Sequence, residues 1–274
     1  MQIKRQRLYR AMPAFCVALG FLVYATDPCA AIEPSPAADA AFNSYISALE
    51  SRFQTQHSSR NGFLAPASMN MQAEARLHKG ELIVERLTPS QGSELPGALL
   101  HHWRGTAFVP GATTADFEHL MKDFNSYPQK FTPEVLQAKV LSRNGDHLQA
   151  SMRVKQTHIL TVVMDTTYDI AYGRLDAQHG YSTSRTTRIA EIEAAGKSAE
   201  HALDGNVQHG YLWNLNVYWS YEERDGGLYM QIETVSLTRD IPFGLSWAVG
   251  PFVQSVPRDS LTFTLQSASN ALRR

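Results

Sequence analysis

Apolar and polar residues alternate most clearly toward the end of the chain. Tyr211, Trp213, Leu215, Val217, Trp219 and Tyr221 stand at every second position, with Asn214, Asn216, Ser220 and Glu222 on the intervening parity. A period of two predicts a strand with one aromatic face and one polar face. Asp225, Gly226 and Gly227 follow, and either Asp-Gly or Gly-Gly makes a two-residue turn of the primed type. Both choices give one parity, which places Met230, Ile232, Thr234 and Ser236 on the face of Trp219 and Tyr221. Glu233 then falls on the other face. A three-residue loop would bring Glu233 to the apolar side, and the two-residue turn is preferred because an unpaired buried carboxylate is costly.

After this hairpin, Leu261, Leu265, Ala268 and Leu272 repeat at four, three and four, the spacing of one helix face. Pro257 marks the expected start of this helix, which would cover the aromatic strand. Trp247 and Phe252 precede it, among Gly244, Gly250 and Pro251.

Earlier in the chain, Phe42, Ile46, Leu49 and Phe53 share that helical spacing, and Asn61-Gly62 breaks the pattern. Strands are predicted over 81–87 and 98–109. A helix follows, with Thr114 as its cap, Phe117, Leu120, Met121 and Phe124 as its buried face, and Pro128 at its end. Strands over 135–143 and 147–156 flank Asn144-Gly145, and 159–172 and 181–193 continue the meander. The pattern is that of an α+β fold: a curved antiparallel sheet of six or seven strands closed by a long C-terminal helix.

Composition adds a compartment. Lys4, Arg5, Arg7 and Arg10 precede an apolar run over 11–25, and Cys29-Ala30-Ala31 offers small residues for cleavage, so 1–31 reads as a signal peptide cleaved near Ala31. The apolar run is short for a membrane anchor, and Thr26-Asp27-Pro28 before Cys29 is not a lipobox. The product is expected in the periplasm or outside the cell. Residues 32–80 form a linker and helical extension, and 81–274 the main domain. Both cysteines, Cys16 and Cys29, lie in the signal, which removes disulfides, thiolate nucleophiles and zinc–thiolate sites. The 25 basic and 26 acidic residues become 21 and 25 without 1–31, a net charge of −4, and nucleic acid is a poor partner.

Several local runs resemble the START-like (SRPBCC) superfamily, whose helix-grip fold also includes polyketide cyclases and plant pathogenesis proteins. They are His101-His102-Trp103 with Val109-Pro110-Gly111, Tyr181-Ser182-Thr183-Ser184-Arg185, and the C-terminal 236–242, 250–253 and 256–261. The resemblance spans 82–274 and is to an exported bacterial branch. It implies a fold and a cavity between sheet and helix, without implying a reaction.

The ligand expected there is a hydrophobic or amphipathic small molecule, lipid-like, with peripheral membrane contact serving its exchange. Trp213, Leu215, Trp219, Tyr221, Met230, Ile232, Trp247 and Phe252 would line or lid the cavity. Arg185, flanked by hydroxyl residues, is the candidate inward anchor. A competing cyclase or aromatase reading requires Arg185 to converge inward with Glu233 or Asp165. A third reading is an interaction module whose core is filled by its own aromatics. No catalytic residue is assigned, because the chain has no G-x-S-x-G elbow, and Ser260 follows Pro257 in a helix start. No cofactor fingerprint is present. No metal is expected, since His101 and His102 are adjacent and point to opposite faces of a strand.

Overall fold

Eight strands lie side by side, all neighbours antiparallel, in a computed structural model that describes residues 33–65, 69–88, 94–157, 161–240 and 246–273, without the side chains of 94, 206 and 246–254. In chain order the strands are β1 (Ile83–Arg86), β2 (Glu94–Leu95), β3 (Ala98–Pro110), β4 (Val135–Asn144), β5 (His147–Thr157), β6 (Thr161–Arg174), β7 (His179–Glu193), β8 (His201–Ala202), β9 (Asn214–Arg224) and β10 (Gly227–Arg239). The sheet order is β1-β3-β10-β9-β7-β6-β5-β4, with two-residue β2 and β8 added to β3 and β7. The helices are α1 (Pro36–Gln56), α2 (Met71–His78), α3 (Thr114–Lys122), α4 (Tyr127–Lys130) and α5 (Ser246–Leu272). The expected signal segment, 1–31, lies outside the described residues.

The last hairpin has the expected register. Arg224 pairs with Gly227, so Asp225 and Gly226 are the two turn residues, and both have positive φ, 57° and 74°. That is the primed geometry whose twist matches the flanking strands. Trp219 then opposes Ile232, and Tyr221 opposes Met230. The 144–147 turn differs slightly: Asn144 pairs with His147, leaving Gly145 and Asp146 as the central residues.

One face of the sheet, here the inner face, packs against α3, α4 and α5. Leu261, Leu265, Ala268 and Leu272 of α5 are all buried there, joined by Phe117, Leu120 and Met121 of α3. The N-cap of α3 is Thr113, not Thr114, because Asp116 at N3 completes a capping box with Thr113. Helix α5 begins at Ser246, well before Pro257, and runs through both Pro251 and Pro257.

The outer face carries its own helical layer. Phe42, Ile46, Leu49 and Phe53 of α1 pack on Leu100, Tyr218, Val235 and Leu237. Ser35 caps α1 and Pro36 occupies its first turn, where a missing N–H costs nothing. Helix α2 was not foreseen, since Ala73 and Leu77 are its only buried residues. Leu77 joins Phe63, Phe108 and Tyr229 in a second outer cluster. Residues 31–274 form one compact unit, so the 32–80 extension is a packed layer of it.

Candidate functional site

Residues opposite one another in an antiparallel register share a face, so the strand pairings draw the inner face in rows. One row is Gly105, Ile232, Trp219 and Ser182; the next is Trp103, Thr234, Val217 and Ser184; the third is His101, Ser236 and Leu215. Trp219, Tyr221, Met230 and Ile232 therefore share the inner face, in one buried cluster with residues of α3 and α5.

These four residues are nonetheless closed. Their exposures are 5%, 1%, 0% and 1%. Phe117 packs edge-on to Trp219 with centroids 5.1 Å apart and tilted against Tyr221 at 4.8 Å. A Cβ added at Gly105 would stand 2.5 Å from Leu261 Cδ2 and 3.0 Å from Leu265 Cδ2. Helix α5 thus sits directly on β3 there, and glycine is what permits the approach. This stretch is packed core.

One row further, the cover loosens. Trp103, Thr234, Val217, Ser184 and Leu215 keep partial solvent access, although Ser182, Ser236 and His101 beside them are buried. This is the part of the face reached toward the first half of α5, because β10 ends at Arg239 and α5 begins at Ser246. Partial solvent access on the inner face is thus found at Trp103, Val217 and Leu215 and not at the expected aromatics. His101 Nε2 lies 3.2 Å from Thr238 Oγ1. Burial first, then the Arg86 charge, pushes its imidazole down to about 4, so it is neutral near pH 7.

Three other expectations need correction. Arg185 does not point inward: it pairs with Asn216 on the outer parity, and its Nε and guanidinium NH2 donate to Glu50 Oε1 of α1 at 2.8 and 2.6 Å. Trp213 precedes β9 and packs with the α1 cluster on the outer side. Gly210, at φ 76°, bends the chain there, and a Cβ on it would crowd Arg239 and the Trp213 indole. Tyr211 is correspondingly exposed. The side chains of Trp247 and Phe252 lie outside the described residues.

Glu233 is on the outer face, as its parity requires, but it is not solvated. Helix α1 covers it to 1% exposure. Arg104 Nε donates to its Oε1 at 2.8 Å; His102 Nε2 and Arg52 donate to Oε2 at 2.9 and 2.5 Å. The Tyr45 hydroxyl lies 2.8 Å from His102 Nδ1. Asp165 is also on the outer parity, receiving both Arg153 Nε and NH2 at 2.7 and 2.9 Å. Arg185, Glu233 and Asp165 therefore serve three separate outer ion pairs and do not converge. His101 and His102 point to opposite faces, as expected for strand neighbours.

The register put Thr234 and Ser236 on this face, but the partly open Trp103 and Ser184 beside them were not singled out. Alternating hydroxyls in Ser182-Thr183-Ser184 were the available signal. Their position opposite Trp219 and Val217 depends on the β7–β9 pairing, which joins strands distant in sequence.

No family model matches the chain, and no curated protein matches it. Among solved structures, it is similar to a STAR-related lipid transfer protein from Xanthomonas axonopodis, at 16% identity over 70% of this chain and 99% of that one, TM-score 0.42. It is also similar to a START superfamily protein from Mycobacterium smegmatis, at 14% identity over 62% and 96%, TM-score 0.42. A third is the Zhui aromatase/cyclase from a Streptomyces species, at 12% identity over 62% and 92%, TM-score 0.43. By its own strand order and terminal helix, the chain has a helix-grip fold, an antiparallel sheet packed against α5, with a helical layer added on the outer face.

Proposed function

We propose that this domain binds a hydrophobic or amphipathic small molecule on the inner face of its sheet, beneath the first half of α5. The observation that carries the reading is the partial opening at Trp103, Thr234, Val217, Ser184 and Leu215, directly beside the closed Trp219 and Ile232. Apolar surface placed there leaves water, at about 25 cal/mol per Å². Carriage or sequestration follows, with exchange at a membrane surface suiting a ligand of low aqueous solubility. Residues 1–31 support export, and the amino terminus of protein recovered from the periplasm or medium should then begin near Ile32.

The cyclase or aromatase reading lacks its polar groups, because Arg185, Glu233 and Asp165 are all occupied on the outer face. Native mass spectrometry of protein purified without detergent tests the binding reading. A bound small molecule, or uptake of an uncharged hydrophobic dye after stripping, is expected. Protein that carries no adduct and takes up no dye would overturn it.

A further inference from the structure

Helix α5 is gripped from two limbs of the sheet, and the two grips differ in chemistry. Leu261 meets β3, where its Cδ2 would stand 2.5 Å from a Cβ on Gly105. Ser260, the preceding residue, meets β5, where Gln156 Nε2 donates to its Oγ at 2.5 Å. Strands β10, β9, β7 and β6 lie between β3 and β5, so two consecutive residues of α5 join opposite limbs of a curved sheet. The β3 contact is apolar. The β5 contact is polar and includes a carboxyl, because Glu134, just before β4, places Oε2 3.4 Å from the same Gln156 Nε2. The other amide atom, Gln156 Oε1, is buried without a partner, the one such side-chain atom among the described residues. A buried acceptor that lacks a donor is costly and calls for an explanation.

The surroundings of Glu134 favour its acid form. Burial first, then the Asp259 charge on α5, pushes its carboxyl up to about 7 from an ordinary 4.5. Arg258 beside Asp259, and Lys130 at the end of α4, are exposed to solvent. Lys155 of β5 gives its backbone N–H to the Glu134 carbonyl at 2.7 Å, and its side chain lies on the face opposite to that of Gln156. Glu134 forms no ion pair among the described residues. His158, two residues after Gln156, lies outside them.

We propose that Glu134 is a proton-operated latch on α5: as an acid it donates to Gln156 Oε1 and holds the helix to the β5 limb, and as a carboxylate it releases that limb. The two polar atoms of the amide share one carbon, so a small rotation of the carboxyl or the amide brings the acid proton to the unpartnered oxygen. Ionised, Glu134 has no proton to give, faces Asp259 with like charge, and gains by moving into water. The sign follows from the direction of the shift. A carboxyl raised in the held state contributes fully below 4.5, and that contribution is lost as pH rises to about 7. The hold on α5 therefore weakens from mildly acidic to mildly alkaline solution. Faster ligand entry in alkali rests on the binding function proposed above, whereas the latch itself does not depend on it.

Hydrogen exchange of the backbone amides over 255–265, corrected for intrinsic rates, tests the latch on the folded protein. Between about pH 6 and about pH 8.5, wild-type protection is expected to fall about tenfold. Glu134→Gln stays neutral and brings its own N–H donor, so it should remain protected at both. Asp259→Asn, at an exposed position, should keep the fall but move it to lower pH, which keeps the test decisive if Glu134→Gln fails to fold. His158→Gln should change nothing. Uptake of the uncharged dye N-phenylnaphthylamine should quicken over the same range in wild type and not in Glu134→Gln. Wild-type protection independent of pH, or an equal fall in Glu134→Gln, would overturn the proposal. So would an unmoved midpoint in Asp259→Asn or loss of the fall in His158→Gln. The predicted exchange pattern without dye uptake at any pH would support the latch and remove the binding function alone.

Discussion

Replacing Glu233 by Gln removes a carboxylate that Arg104, Arg52 and His102 enclose under α1. Burial alone would raise its pKa, but the His102 hydrogen bond and the Arg104 and Arg52 charges hold it at about 2, against an ordinary 4.5. At about 1.4 kcal/mol per pK unit, that difference amounts to about 3 kcal/mol of stability. The general cost of removing one partner from a buried ion pair, about 3–5 kcal/mol, has the same size. The sign follows from the direction. A carboxyl depressed in the folded state stabilises it fully above 4.5 and loses that contribution as pH falls toward about 2. Urea denaturation at neutral pH should show Glu233→Gln less stable by about 3 kcal/mol with little change in slope. The gap to wild type should narrow steadily below pH 4.5. A neutral-pH loss under about 1 kcal/mol, or a gap that stays constant on acidification, would refute the reasoning.

Gly105→Ala should cost about 1–3 kcal/mol in the same assay, because its Cβ meets Leu261 Cδ2 at 2.5 Å and forces α5 outward. Phe53→Ala should cost about 3–5 kcal/mol, as expected only if α1 is a packed layer of the domain. His101 must stay neutral in the folded state, so wild type should lose stability as pH falls from 6.5 toward about 4. His101→Gln should lose about 2 kcal/mol less by pH 5, read from paired denaturation curves. Arg185→Ala breaks a partly exposed pair with Glu50 and should cost under about 1 kcal/mol, leaving dye affinity unchanged.

What was legible in the sequence was what local spacing determines. The α1 stripe of Phe42, Ile46, Leu49 and Phe53, the α5 stripe, and the Asp225-Gly226 register all appear as the period rules require. Trp213 was misplaced because period two was extended past the true start of β9 at Asn214. Glu233 was put on the correct face with the wrong surroundings, since no local pattern shows that α1 returns from 181 residues away to cover it. Arg185 failed for a related reason: its partner, Glu50, lies in that same layer. The openings beside Trp103 and Ser184 depend on β3–β10 and β7–β9 pairing. These contacts are set by topology, and the alternating hydroxyls of Ser182-Thr183-Ser184 were the one local trace of them.

The most direct measurement is dye binding by Val217→Trp. Val217 stands at the centre of the partly open row, between Thr234 and Ser184, and an indole there would occupy the space assigned to the ligand. Loss of dye binding is expected with the folded state retained, while Val217→Ala, which enlarges the space, should still bind. Wild-type dye affinity in a folded Val217→Trp protein would contradict a ligand site on this face.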